Sequence, residues 1–459
     1  MPRKKDEIVI QDSNYVTHSK EKAMKTVLAE GSLTSTAISM SSSYMTPFAL
    51  AVGGNSFHVG LLSALSGLMT PLGHLRGSRL MEKYPRKRII LLSKLLHILL
   101  YIPMVLIIYL SWKGLLLNYL PYFLILVWAV LVSYIWAAGD VAWFSWLGDI
   151  VPSEQKGKYF SKKNRINGFV GLVTFIIAGF ILDIFKTRGY VLAGFTLIFV
   201  ISLVFRITAR NLVKKIFNPK LVLKKGYYFS FKDFVKRFDN YGKFSFFQAG
   251  FYFSVMLSSP FFAVYMLDNL NFNYFTFTIV SMSSTAFYLL FNPLAGKFSD
   301  EYGNVKLMYV SGILFPIVPI LWIFISSPIL LILLPGLISG IANAAFIIAV
   351  TNFSYDSVSP QKRGLCFAYT SLLAGGGTLI GSLAGGFLIE YLQIDFMKPI
   401  FFVFLISSLL MIMNALFFLP QIKEERKTDR IQGLSVDWHH PFKMVRSDLV
   451  WFKNFIHGG

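Results

Sequence analysis

The sequence predicts an all-α polytopic membrane protein with twelve transmembrane helices in two pseudo-symmetric six-helix bundles. Three observations predict it. The 459 residues are 55% hydrophobic and only 15% charged, against about a quarter charged in ordinary soluble domains. The apolar residues gather into segments near the roughly 20 residues that cross a bilayer. Lys and Arg fall almost entirely on alternate connections between those segments.

Twelve segments emerge: 30–53, 57–75, 89–110, 119–147, 166–185, 190–209, 244–267, 275–297, 307–325, 329–353, 366–390 and 397–419. With the N-terminus taken as cytoplasmic, 39 of the 44 Lys and Arg fall on the inner side and 4 on the outer, with Lys94 inside a span. This bias sets both termini in the cytoplasm of an integral protein of the cell (plasma) membrane. It also accounts for the net charge of +21 through anionic lipid headgroups, without nucleic acid. The expected organisation is a tail over 1–25, a bundle over 26–210, a central loop over 211–243, a second bundle over 244–419 and a tail over 420–459.

The halves repeat. Asp149 to Gly157 stands against Asp356 to Gly364, with the same acid-to-glycine spacing. A shift of 207 then lays Gly168 on Gly375, Gly179 on Gly386 and Asp183 on Glu390. A finer period of three is also visible. Spans 1, 4, 7 and 10 carry the polar residues, including nine Ser and Thr in span 1, whereas spans 3, 6, 9 and 12 are lipophilic. Polar groups in hydrocarbon must face protein or a wet cavity, so the first helix of each triplet is expected to line a cleft.

The connection after span 8 places Gly296, Asp300 and Gly303 in register with the pattern G-x-x-x-D-(basic)-x-G-(basic)-(basic), followed by Lys306, but has Glu301, Asn304 and Val305 at its basic positions. The connection after span 2 keeps the basic end in Arg86, Lys87 and Arg88, but has Ser78, Glu82 and Pro85 at the other positions. With these two copies the chain resembles the major facilitator superfamily over about residues 25–420. That resemblance implies two six-helix bundles rocking about a central site. It also implies inner-side charge networks that hold one face shut. Glu82, Arg86, Lys87, Asp149, Gly296, Asp300, Gly303, Asp356 and Arg363 are the residues expected in such a latch.

Asp140 is the candidate coupling residue. Trp136, Asp140 and Trp143 follow i, i+4, i+7 spacing and share one helical face, and a carboxylate within a span is expensive. The competing reading is a structural pair with Lys94 at similar depth. Lys94 itself is expected to snorkel to the headgroups, and His74 to be interfacial. Gln248, Tyr252, Asn343 and Asn352 are candidate substrate contacts because of the spans they occupy.

No ATP-binding loop is present: Gly375, Gly376, Gly377 and Gly381 lie in an apolar span with no preceding strand and suit close helix packing. His439 and His440 lack metal-ligand spacing, and Cys366 is the lone cysteine. Neither a cofactor nor a resident metal is expected. Phe442, Val445, Leu449, Phe452 and Ile456 predict an amphipathic helix on the inner face. The expected function is secondary active transport of a small solute by alternating access, with proton coupling as an option, in a monomeric protein that is not an enzyme. The rival classes are an integral-membrane enzyme or a non-transporting sensor, and within transport a lipid exporter.

Overall fold

A computed structural model describes residues 3–81, 83–116, 120–151, 156–216, 230–236, 238–358 and 360–425. The expected tail helix over 442–456 and the Glu82 position lie outside these residues. So do the side chains of Asp149 and Arg363, although both backbones are helical.

The described chain is helical throughout. The first half comprises α1 (Arg3–Ser39), α2 (Met45–Ala51), α3 (Ser56–Met81), α4 (Arg86–Trp112), α5 (Leu120–Ile150), α6 (Lys156–Thr187) and α7 (Val191–Lys214). A short α8 (Phe231–Lys236) lies within the central loop. The second half comprises α9 (Asn240–Ser258), α10 (Phe261–Val264), α11 (Tyr274–Tyr302), α12 (Asn304–Phe324), α13 (Pro328–Leu331), α14 (Leu337–Ser357), α15 (Pro360–Tyr391) and α16 (Pro399–Phe418). Among the described residues, ten helical stretches are long and apolar enough to cross a membrane. The first two expected spans are also helical, in α1–α2 and α3, but more polar. The serines of span 1 collect where α1 stops and a 3₁₀ turn, Ser42–Tyr44, leads into α2. Hydroxyls there bond to the backbone one turn back and compete with the regular ladder; Ser41 Oγ donates to the Ala37 carbonyl at 2.7 Å.

We call the side carrying the α3–α4, α5–α6 and α14–α15 junctions the tail side, and the opposite side the far side. Near the far side both halves share one apolar core, in which Tyr44, Phe48 and Phe195 meet Phe261, Tyr265 and Phe404. Toward the tail side the cores are separate. One, around Trp146 and Ile90, belongs to the first half; the other, around Phe244 and Phe353, belongs to the second.

The halves meet along two helix pairs, α3 with α15 and α6 with α11. Helices in lipid associate by close packing, so small residues decide where they touch. A Cβ on Gly60 would lie 2.5 Å from the Ser382 carbonyl oxygen, and one on Gly179 would lie 2.4 Å from Thr278 Oγ1. The glycines that repeat at the 207-residue shift fall on these two seams: Gly168 and Gly179 face α11, while Gly375 and Gly386 face α3. Gly377 and Gly381 instead pack on the α9 backbone at Ala249 and Phe253. The glycine cluster of α15 is thus a two-sided packing surface.

Candidate functional site

Two cavities meet near the seam between the halves. The larger, of about 410 Å³, is lined by Ser43 and Thr46 beside α2, Phe175 of α6, Ser281 of α11, Trp322 of α12 and Asn343 of α14. The smaller, of about 230 Å³, is lined by Tyr252, Phe346 and Met411 among others, and shares Ser259, Phe262, Ser339 and Asn343 with the first. No charged side chain lines either one among the described residues. Two π-helical segments, Tyr265–Asn269 and Ile332–Gly336, bring Met266 and Pro335 to the larger cavity wall. Such irregular backbone is tolerated in a membrane where it lines a cavity.

Of the candidate contacts, Asn343 lies where the two cavities join, its Nδ2 donating to the Ser339 carbonyl at 2.8 Å. Tyr252 lines the smaller cavity. Gln248 is buried and lines neither. Asn352 is not at the cavity either: its Nδ2 donates to Ser299 Oγ at 3.0 Å, in the motif region described below. A polar residue on a cleft-lining helix can turn toward a neighbouring helix instead, and span membership alone does not separate the two.

A third cavity, of about 190 Å³, holds the charges. It lies within the first half and is lined by Glu30, Lys94, Trp136, Asp140, Trp143 and Lys163, with smaller residues between them. Trp136, Asp140 and Trp143 line it together, as their spacing predicts. The competing reading, a Lys94–Asp140 pair, is not what forms. Lys94 Nζ donates to Glu30 Oε1 at 2.7 Å, and Thr34 Oγ1 donates to the same oxygen at 2.7 Å. The two indoles attend the lysine rather than the aspartate, with Nζ at 5.6 Å from the Trp136 ring centroid and 5.7 Å from that of Trp143. Lys94 is therefore held in the interior and does not snorkel. The Asp140 side chain is half exposed, with His74 Nε2 at 4.0 Å from its Oδ2, so His74 is a neighbour of the acid rather than an interfacial anchor.

Glu30 and Lys163 are not legible as site residues in the sequence, because Glu30 opens the first apolar segment and Lys163 stands before the fifth. In fact α1 runs unbroken to Ser39 and α6 begins at Lys156, so both side chains reach inward. Arg206, near the inner end of the sixth apolar segment and one of the 39 cations assigned to the inner side, is buried in α7. Its Nη2 donates to Ser41 Oγ at 3.1 Å and to Tyr101 Oη at 2.8 Å. Its Nε donates to Ser202 Oγ at 3.3 Å, and Nη1 lies 3.1 Å from His97 Nδ1. This network fastens the break after α1 to α4 and α7.

A family profile described as Major Facilitator Superfamily matches residues 31–238 and 244–457. The chain belongs to the major facilitator superfamily. It is an integral membrane protein. An uncharacterized transporter of Schizosaccharomyces pombe is 32% identical over 100 residues, 22% of this chain and 18% of that protein. Multidrug resistance protein 1 of Bacillus subtilis is 31% identical over 102 residues, 22% of this chain and 26% of that protein. Each alignment thus spans a quarter or so of the relative's length at most. Among solved structures, a bacterial homologue of the iron transporter ferroportin in an inward-facing state has a TM-score of 0.67 at 16% identity, covering 87% of this chain and 98% of that one. The nucleoside transporter NupG has a TM-score of 0.63 at 12% identity, covering 87% and 99%. These likenesses are of fold.

The superfamily motif after α11 has a local physical reason. Gly303 has φ of +96°, a conformation that side-chain-bearing residues rarely adopt. It ends α11 and starts α12, its N–H bonding the Ser299 carbonyl at 3.0 Å. Ser299 Oγ donates to Asn304 Oδ1 at 2.6 Å, and Asn304 Nδ2 donates to Asp356 Oδ2 at 2.9 Å. Gly296 lies opposite Ile348 of α14, where a Cβ would make an ordinary contact at 3.9 Å, and Asp300 is exposed on the same stretch. Around the turn at Gly303, Ser299, Asn304 and Asp356 therefore tie α11, α12 and α14 into one unit. In the first copy Pro85 takes the place of the second glycine and precedes α4. Arg86 is buried and donates to the Ser145 carbonyl at 2.9 Å. Lys87 Nζ donates to the carbonyls of Lys214 and Ile216, both at 2.8 Å. A cation there complements the negative end of α7. The bonds of Arg86 and Lys87 described above stay within the first half, and that between Asn304 and Asp356 stays within the second.

Proposed function

We propose that this protein is a secondary active transporter that works by alternating access, here closed at the far side. The observation that carries this reading is the asymmetry of the core. One apolar core joins the halves near the far side, while each half keeps its own core toward the tail side. The seams close through glycines and small side chains that let the helices of the two halves touch. The solute would sit in the paired cavities at Ser259, Ser339 and Asn343. Their hydroxyl, amide and aromatic lining suits an uncharged small molecule with hydrogen-bonding groups, since an unpaired charge there would be costly.

The first half supplies the coupling. Asp140 is the half-exposed acid of the charged cavity, whereas Glu30 is committed to Lys94. A proton on Asp140 would leave the Glu30–Lys94 pair intact, so loading need not unfold the site. A thermal-shift screen of uncharged solutes identifies a ligand by the stability it adds. In proteoliposomes with an imposed pH gradient, the wild type should accumulate that solute. Asp140→Asn should exchange it but fail to concentrate it. Wild-type accumulation by Asp140→Asn would remove Asp140 from the mechanism. A screen without any ligand, in a protein that converts a membrane lipid, would favour the enzyme reading instead.

The charge bias further supports a tail side facing the cytoplasm. Leu115 lies on the far side and is strongly exposed. In intact cells, Leu115→Cys should react with a membrane-impermeant thiol reagent. Reaction only after permeabilisation would reverse the orientation.

A further inference from the structure

Outside the cleft, a groove of about 520 Å³ opens on the lipid-facing surface between α4 and α7 at the tail side. Its described lining is Lys87, Arg88, Leu91, Leu92, Leu95 and Arg210 beside Pro85. Three cations with no acid among these residues form one end; three leucines form the other. The chain course explains the pairing. Helix α4 leaves the tail side and α7 returns to it, so the first turn of α4 lies level with the last turns of α7. Arg210 Nε donates to the Leu91 carbonyl at 3.3 Å, which holds its guanidinium over the groove. Lys87 spends two of its three donors on α7 carbonyls and keeps its charge at the rim. Arg88 is exposed and stacks over the Tyr84 ring at 5.6 Å.

The apolar part is a track rather than a patch. Arg88, Leu91, Leu92 and Leu95 follow i, i+3, i+4, i+7 spacing and share one face of α4. That face continues into the bilayer through exposed Leu99, Ile102 and Leu106. A phosphate-bearing headgroup is the complement of planar guanidinium donors, and an acyl chain is the complement of a leucine track running down the helix from them. A free anion would use only the first of these features.

We propose that this groove binds an anionic phospholipid, with its phosphate between Arg88 and Arg210 and an acyl chain along the Leu92–Leu95 face. The site holds α4 to α7 and thereby braces the first half. The inference stands apart from the transport reading, because binding can be measured without a solute or a gradient.

The test uses the full-length protein in detergent, with native mass spectrometry to count bound lipid and thermal unfolding to read its effect. Phosphatidylglycerol should remain bound and raise the unfolding temperature, whereas phosphatidylcholine and inorganic phosphate should do neither. Each cation contributes roughly fivefold in affinity near a membrane surface, so Arg88→Gln should weaken binding about fivefold. Adding Arg210→Gln should weaken it about 25-fold. Lys22→Gln with Lys25→Gln removes two exposed cations of α1 and should leave binding unchanged. Arg88→Gln touches only an exposed side chain, so its fold is secure even if the double variant is unstable. Equal lipid retention by Arg88→Gln and wild type would overturn the site. So would equal losses in the α1 control, which would mean general charge attraction, or stabilisation by phosphate alone.

Discussion

Glu30→Gln is expected to lower stability by about 3 kcal/mol, the largest effect of any conservative substitution in the charged cavity. The carboxylate is buried, at 3% side-chain exposure, and its lysine partner is at 16%. The amide would keep the shape and a hydrogen bond to Thr34, but would leave the Lys94 ammonium without its counter-charge. The indoles of Trp136 and Trp143 offset only part of that loss, since a cation–π contact contributes about 0.5–2 kcal/mol. Lys94→Met removes the stranded charge, so the double variant Glu30→Gln, Lys94→Met should recover most of the stability. Thermal unfolding in detergent of the wild type, both single variants and the double variant closes a double-mutant cycle. Asp140→Asn should cost far less, because that carboxylate is half exposed and its nearest basic atom is 4.0 Å away. An unaltered unfolding temperature in Glu30→Gln, or no recovery in the double variant, would mean that the pair does not hold the site.

The contrast between Glu30 and Asp140 marks what the sequence discloses and what it does not. Helical period suffices to place Trp136, Asp140 and Trp143 on one wall, because three positions on one helix need no knowledge of its neighbours. It cannot name the partner across the wall, and Lys94 chose Glu30. That acid was hidden by where the apolar run begins: the preceding turns of α1 are polar, so Glu30 looks like a water-edge residue although the helix continues through it. Arg206 is hidden in the same way near the end of the sixth apolar segment, although α7 continues to Lys214. The repeat at 207 residues carried more than duplication. Its matched glycines are the seam positions, and that meaning appears only once α3 is laid on α15 and α6 on α11. Asn352 shows the opposite failure, a polar residue in a cleft-lining span that instead serves the α11–α12 junction.

Those seams yield the prediction with the largest functional effect. Gly60→Val should block closure of the far side and stop transport while leaving each half folded. The added Cβ would lie 2.5 Å from the Ser382 carbonyl oxygen and 3.1 Å from the Gly386 Cα. Both are backbone atoms of α15, so no side-chain rotation relieves the clash and the helices must part. Overpacking of this kind costs about 1–3 kcal/mol. The penalty applies only to the conformation in which α3 and α15 touch. A bias of about 2 kcal/mol changes a two-state ratio by a factor of about 30, enough to move most molecules out of the closed-far state. The readout is Ser382→Cys in a Cys366→Ala background. Ser382 is fully buried at the seam, and its hydroxyl has no hydrogen-bond partner there, so a thiol replaces it at little cost. The thiol should be unreactive toward an impermeant maleimide with Gly60 in place and reactive with Gly60→Val. Gly376→Ala serves as the control, since nothing lies within 4 Å of a Cβ at that position; it should change neither labelling nor transport. A monodisperse Gly60→Val protein whose Ser382→Cys thiol stays protected, and which still moves solute, would show that the α3–α15 seam does not open during the cycle.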